Sequence, residues 1–296
     1  MSKLRISIVE YLNTAPLVWG FTRGPLAGRY DLSFTVPSQC ADELRHGDAD
    51  VAIIPAVEYQ RMENVVALPD MSIAAKREVR SILLLARGPI EGAHRIALDT
   101  SSRSSAALVR LLCARRWKIQ PEFIDAAPDP AEMLAQADAA LIIGDPALRV
   151  ALERSQQYVL AGRAGACTAG DSQAAAGGAL YLYDVAYEWR ELTGKPCVLA
   201  LWVARRDAAT PEVLRDFLAS KEYGLSRIPE IAEWASAELQ LPAELLARYL
   251  TENIDFSLDA ENRAGLELYF QMCAEEGLIP RARPLEFAFA ARSQGM

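Results

Sequence analysis

Histidine is nearly absent: His46 and His94 are the only two in a chain of 296 residues. So few imidazoles exclude a His-rich metal centre, and neither lies in a triad-like context. Long hydrophobic runs are also missing. No stretch of about 18 uncharged apolar residues occurs, which excludes a transmembrane helix and a membrane as partner. The apolar run Leu4–Val9 is cut short by Glu10 and Asn13, too soon for a secretory signal, so a cytoplasmic protein is expected. The five cysteines (Cys40, Cys113, Cys167, Cys197 and Cys273) form no C-x-x-C pair and read as free, mostly buried thiols. Positive charge is in deficit, with 31 Lys and Arg against 39 Asp and Glu, a net −8. Without a concentrated basic stripe, nucleic acid is not an expected partner. A G-x-S-x-G elbow and a phosphate-binding G-x-x-x-x-G-K loop are both lacking. Gly162, Gly165 and Gly170 make no dinucleotide fingerprint after a strand, so neither cofactor nor metal is expected.

What is present is a chain with 51% apolar residues, enough to build a substantial core in about two domains. Short apolar runs alternate with helical patterns, the signature of parallel βαβ units. Strands are expected at Leu4–Val9, Leu32–Val36, Val51–Ile54 and Val65–Leu68, with helices near Ala15–Phe21 and Ser38–His46. A second series follows: strands Ile96–Leu98, Glu122–Ile124 and Ala139–Ile143, and helices Ser102–Arg116, Ala131–Gln136, one opened by Pro146, and Val185–Leu192. From Pro211 onward the pattern is helical, over 211–220, 225–239, 242–251 and 259–276. Residues 161–179, rich in Gly and Ala, read as a long loop. Two apolar runs, SILLLA (81–86) and VLALWV (198–203), bracket the middle unit and read as its crossovers. The expected fold is α/β, with 1–87 and 200–296 as one discontinuous domain, 88–199 as the other, and a substrate cleft between them.

Open α/β sheets collect ligands beyond the carboxyl ends of their strands, and four loops lie there. In Tyr11–Leu17, Asn13 either caps a helix or projects an amide into the cleft. Ser38 opens a helix, where ordinary capping also explains it. The third loop packs Asp99, Thr100, Ser101, Ser102, Arg103, Ser104 and Ser105 between a strand and an amphipathic helix. One cap suffices for a helix, so the surplus of hydroxyls and free N–H groups points to a carboxylate or phosphate site at its N-terminus. In the fourth, Gly144 permits close backbone approach and Asp145 serves as cap or ligand contact. Ser81, after Arg80, is a fifth candidate. Tyr249, Phe256 and Tyr269 read as core aromatics.

Taken in order, YLNTAPL, ADVAIIPAVEY, SILLLA, ALDTSSRSS, ADAALIIGDPAL and YDVAYEWRELTGKP give a sequence that resembles the chorismate dehydratases of the futalosine route to menaquinone. The resemblance runs to about residue 280 of the printed sequence. It implies a two-lobed, periplasmic-binding-protein-like type II fold with two hinge crossovers and C-terminal helices. It also implies a lyase that removes water from chorismate, a small dianionic substrate, giving 3-[(1-carboxyvinyl)oxy]benzoate. With no evident base, the substrate's own enolpyruvyl carboxylate is expected to take the proton. By the same resemblance Asn13 and Ser81 orient the substrate, and Thr100, Ser101 and Ser102 bind a carboxylate. Ser38, Gly144 and Asp145 line the site, Asp145 in a hydrogen-bonding role or protonated. The sister family that makes dihydroxynaphthoate in the same pathway carries His-Glu where this chain has Gly144-Asp145, which favours the dehydratase. A non-catalytic solute-binding protein would carry a leader or lipidated Cys, and a ligand sensor a helix-turn-helix before Leu4; neither is evident.

Overall fold

The computed structural model describes residues 3–153 and 180–289. The expected 161–179 loop, with its glycines and Cys167, lies outside them. Residues 5–75 run β1 (Arg5–Val9), α1 (Ala15–Thr22), β2 (Asp31–Thr35), α2 (Pro37–His46), β3 (Val51–Pro55), α3 (Ala56–Tyr59) and β4 (Val65–Ala75). The chain then crosses into β5 (Ile82–Ala86), β6 (Arg95–Asp99), α4 (Arg103–Leu112), β7 (Glu122–Ala126), α5 (Pro130–Gln136) and β8 (Ala139–Ile143). After α6 (Gly144–Glu153), β9 (Tyr181–Asp184) and α7 (Val185–Thr193) it returns as β10 (Cys197–Arg205). It finishes with α8 (Pro211–Leu225), α9 (Ile228–Leu239), α10 (Ala243–Arg248), a π-turn at Tyr249–Asn253 and α11 (Ala260–Glu275).

The strands form two five-stranded sheets built to one plan, β2-β1-β3-β10-β4 and β7-β6-β8-β5-β9. In each, three strands run parallel, and a fourth inserts antiparallel beside them after crossing from the other sheet. Helices cover the central strands, so β3, β5 and β8 are buried at every residue and read as unbroken apolar runs. Edge strand β2 has no buried residue and a more polar sequence.

The two long apolar runs are therefore not the crossovers. A strand that has just crossed still has its backbone N–H and C=O groups to pair, and placing it between two partners satisfies both edges. Thus β5 pairs with β8 and β9, and β10 with β3 and β4. The crossings are the short polar segments 76–81 and 194–196. The expected division at 87/88 and 199/200 moves accordingly: β5 belongs to the second sheet, and position 199/200 falls inside β10. Strand β4 also continues past Leu68, because Pro69 and Asp70 sit in an irregularity of its ladder with β10 rather than ending it. Ser38 is not a cap. Pro37 takes the first helical position and Val36 precedes it, with no side chain on the free N–H groups.

The C-terminal helices pack on the first lobe. The α8 helix lies so close to α1 that a Cβ on Gly224 would stand 1.9 Å from the Pro16 carbonyl oxygen. Cys40, Cys113, Cys197 and Cys273 are buried free thiols. Among the described residues, no helix is long and apolar enough to cross a membrane.

One carboxylate anchors the first crossing. Asp184, 1% exposed, caps α7 through the amides of Ala186 and Tyr187 at 3.1 and 3.0 Å. It also accepts from Val79 at 3.0 Å and from Arg80 at 2.7 Å, within the crossing itself. Asp184→Ala removes the cap and strands two crossing N–H groups. It should lower stability by about 3 kcal/mol, combining a helix cap with charge-assisted hydrogen bonds. Equilibrium urea unfolding checks this, and Asp184→Asn, which keeps one acceptor, should lose less.

Candidate active site

The carboxyl ends of the parallel strands in the two sheets face each other, so their loops meet. From the first lobe comes the turn after β1. Its short run Leu12–Thr14 begins without a capping side chain of its own. The cap comes from the other lobe instead: the Leu12 amide donates to Asp145 Oδ1 at 3.0 Å. Beside it the Tyr11 ring lies flat against Gly144, where a Cβ would come within 2.6 Å of ring carbon and where φ is +67°. Glycine is required at 144 twice over, by backbone conformation and by the ring. The Gly144 amide turns back to donate to the Ser81 carbonyl at 2.8 Å.

The β6–α4 loop is internally ordered. Asp99 Oδ1 accepts from the Ser101 amide at 2.8 Å and the Ser101 hydroxyl at 2.6 Å, while Asp99 Oδ2 is buried with no hydrogen-bond partner. Ser102 stands at the N-cap of α4, but its side chain makes no cap bond. The first amides of α4 are thus left without a side-chain cap. Ser38 meets this loop through its amide, which donates to the Ser101 carbonyl at 3.1 Å. The Ser104 hydroxyl accepts from the Val57 amide of α3 at 3.1 Å. Thr100 does not join the cluster. It is exposed, with its amide bonded to Ala126 at the end of β7. Arg103 is committed to an ion-pair network between the lobes, holding Asp42 through both nitrogens at 3.0 and 2.8 Å and Glu58 at 3.1 Å. Arg45 and Arg61 complete the ring of charge around the buried Glu58.

Ser81 is 1% exposed, and its Oγ accepts a 2.8 Å hydrogen bond from the Tyr249 hydroxyl. Asn13, half-buried on the first lobe, lies near the same phenol, and its side chain opposes the upward push of burial on it. Tyr249 is buried as expected, yet its polar end belongs to the cluster. Its place on an amphipathic helical pattern marked it as core, and a π-turn is not readable from residue types. Tyr11 likewise carries no signal of its role in plain loop sequence. The structure brings together Asn13, Ser81, Ser101, Gly144 and Asp145, with Ser38 and Ser102 at the margin.

Burial sets the electrostatics. It raises the Asp99 carboxyl, opposed by the Ser101 hydroxyl and amide. It pushes Asp145 up to about 6, against the opposing pull of the Leu12 amide and Arg149. Both histidines are exposed, at the end of α2 and just before β6. Among the described residues, no group of three or more His, Cys, Asp or Glu could hold a metal ion.

Two facing lobes of this topology define the periplasmic-binding-protein-like fold, and solved structures agree. A protein of Archaeoglobus fulgidus superposes with a TM-score of 0.67 at 17% identity, covering 94% of this chain and 98% of its own. The periplasmic aliphatic sulphonate binding protein of Escherichia coli gives 0.58 at 17% identity, covering 99% and 96%. A family model described as menaquinone biosynthesis matches residues 4–275. The chain belongs to that family. It is 27% identical over 266 residues to the chorismate dehydratase of Thermus thermophilus, spanning 89% of this chain and 93% of that protein.

Asp145 supplies a pH signature. It holds its proton more tightly folded (about 6) than at the ordinary carboxylate value of 3.8, so between those values the folded state binds more protons. Stability contributed by that proton is present at about pH 4 and lost as pH rises toward about 6. Melting temperatures of wild type and Asp145→Asn should diverge in favour of the variant across this window and run parallel above it. A constant offset would contradict the assignment.

Proposed function

We propose that this protein is a chorismate dehydratase, a carbon–oxygen lyase of menaquinone biosynthesis that converts chorismate to 3-[(1-carboxyvinyl)oxy]benzoate and water. The observation that carries the reading is the 2.8 Å contact of Ser81 with a buried phenol near Asn13, in a chain whose family and Thermus relative point to this chemistry.

The ring proton on the carbon bearing the enolpyruvyl ether is acidified by conjugation to the ring carboxylate. Its C–H bond breaks, the electron pair moves into the ring, and the neighbouring C–O bond breaks as hydroxide is protonated to water. Aromaticity of the product drives the second half. The protein must hold two carboxylates, stabilise charge spreading into one of them, and exclude water. The Ser102 hydroxyl and the uncapped first amides of α4 supply donors for a carboxylate, while both Ser101 donors are held by Asp99, and preorganised donors of this kind act strongly in a dry cleft. Ser38 and Gly144 shape the cleft through their backbone contacts, and Asp145 orients Asn13 by capping the turn that carries it. Asn13 and Ser81 contact and position the reacting ring. With both histidines exposed, the enolpyruvyl carboxylate of the substrate is the base, delivered by orientation rather than by a protein side chain.

Purified protein incubated with chorismate should form the aromatic product, followed by its ultraviolet absorbance and by chromatography. Ser81→Ala and Asn13→Asp should each lower kcat by about 100-fold, the scale of losing one preorganised donor. Wild-type turnover in both variants, with folding intact, would sink the assignment.

A further inference from the structure

Tyr249 enters the site from outside the two-sheet framework. It opens the π-turn Tyr249–Asn253, in which the Ile254 amide reaches back five residues to the Tyr249 carbonyl at 3.3 Å. Such insertions are poorer in hydrogen-bond geometry than the α-helix and recur at functional sites, where they re-aim a side chain. Here both ends of the turn grip the first crossing. The Asn253 amide donates to the Glu78 carbonyl at 3.2 Å, and the Tyr249 hydroxyl donates to Ser81 Oγ at 2.8 Å.

The proton inventory is decisive. A phenol has one hydrogen to donate, and a serine hydroxyl has one hydrogen and two acceptor positions. Tyr249 spends its hydrogen on Ser81, and burial raises the phenol so far that it keeps this proton throughout the working pH range. With the phenol donating, Ser81 keeps its own hydrogen to offer a ligand. Accepting one hydrogen bond also polarises a hydroxyl and makes it a better donor. One oxygen atom of the C-terminal π-turn thus sets the orientation of a hydroxyl carried by the first crossing.

Resting on the dehydratase reading, we propose that Tyr249 is a positioning residue: its hydroxyl fixes Ser81 in the rotamer that donates to substrate. Its contribution passes through Ser81, so it appears in kcat more than in KM and disappears when Ser81 has no hydroxyl. A purely structural tyrosine would show neither property.

The test is a double-mutant cycle with chorismate, run with enzyme in excess so that slow turnover registers. Tyr249→Phe keeps the ring and deletes one oxygen. It should lower kcat about tenfold with KM within about twofold of wild type and a near-native melting temperature. Placed on Ser81→Ala, the same substitution should change kcat less than about twofold. Full activity of Tyr249→Phe, or an equal tenfold loss in both backgrounds, overturns the inference while leaving the dehydratase reading intact. A wild-type protein inert toward chorismate overturns that reading and this inference together.

Discussion

The Asp184 carboxylate is the constraint on which the two-lobed arrangement depends. A chain that leaves one sheet for another must cross where no ladder satisfies its backbone, and buried N–H groups left without partners are costly. At the first crossing a single side chain supplies the missing acceptor. Asp184 takes the amides of Val79 and Arg80 while capping α7 on the second lobe, and Arg80 adopts φ +62°, a left-handed conformation unusual for a non-glycine residue. Ser81 follows directly. Its position is thus inherited from the crossing, with Gly144 fixing its carbonyl and Tyr249 its hydroxyl.

The same economy governs charge. The chain is acidic overall, at −8, yet the proposed substrate is a dianion. Surface carboxylates beyond a Debye length of about 10 Å are largely screened, so the nearest groups decide. Those groups are hydroxyls, amides and the open end of α4. The two nearby carboxylates, Asp99 and Asp145, are raised by burial toward their neutral forms, which lessens their repulsion of an anion. Arg103, the obvious cation of the loop, is spent on Asp42 and Glu58 across the lobes. Local donors therefore outweigh net charge.

Legibility in the sequence followed the reach of the interactions. Strands buried on both faces, such as VAIIP and AALII, announce themselves by composition, and the loops beyond them could be named in advance. Asn13, Ser81, Ser101, Gly144 and Asp145 were all visible as polar or glycine positions at strand ends. What escaped depended on contacts distant in sequence. SILLLA looks the same whether it spans a hinge or fills a sheet, and only its pairing with β8 and β9 decides. Thr100 and Ser101 are adjacent and chemically alike, yet one is exposed and the other is held by Asp99. Tyr249 is 168 residues from Ser81, and no periodicity encodes their meeting.

The contacts between the lobes are of two kinds, and their difference bears on how a ligand enters. Along α4, α7, α11 and β10 the seam is apolar: Trp189 and Tyr269 meet edge-on at 6.0 Å, and one core cluster runs from Ile6 through Leu108. Parting that seam would expose apolar surface at about 25 cal/mol per Å². The contacts around the site are instead Leu12 with Asp145, Ser38 with Ser101, and Arg103 with Asp42. Each exchanges its protein partner for water at a net cost of about 1 kcal/mol, somewhat more for the charged pairs. Parting the lobes would therefore be cheapest at the polar side. Entry by that route breaks the Leu12–Asp145 contact and frees the turn bearing Asn13, while Ser81 stays held by the crossing and by Tyr249. Of the two groups proposed to position substrate, Ser81 is thus held independently of the polar contacts between the lobes, and Asn13 depends on them.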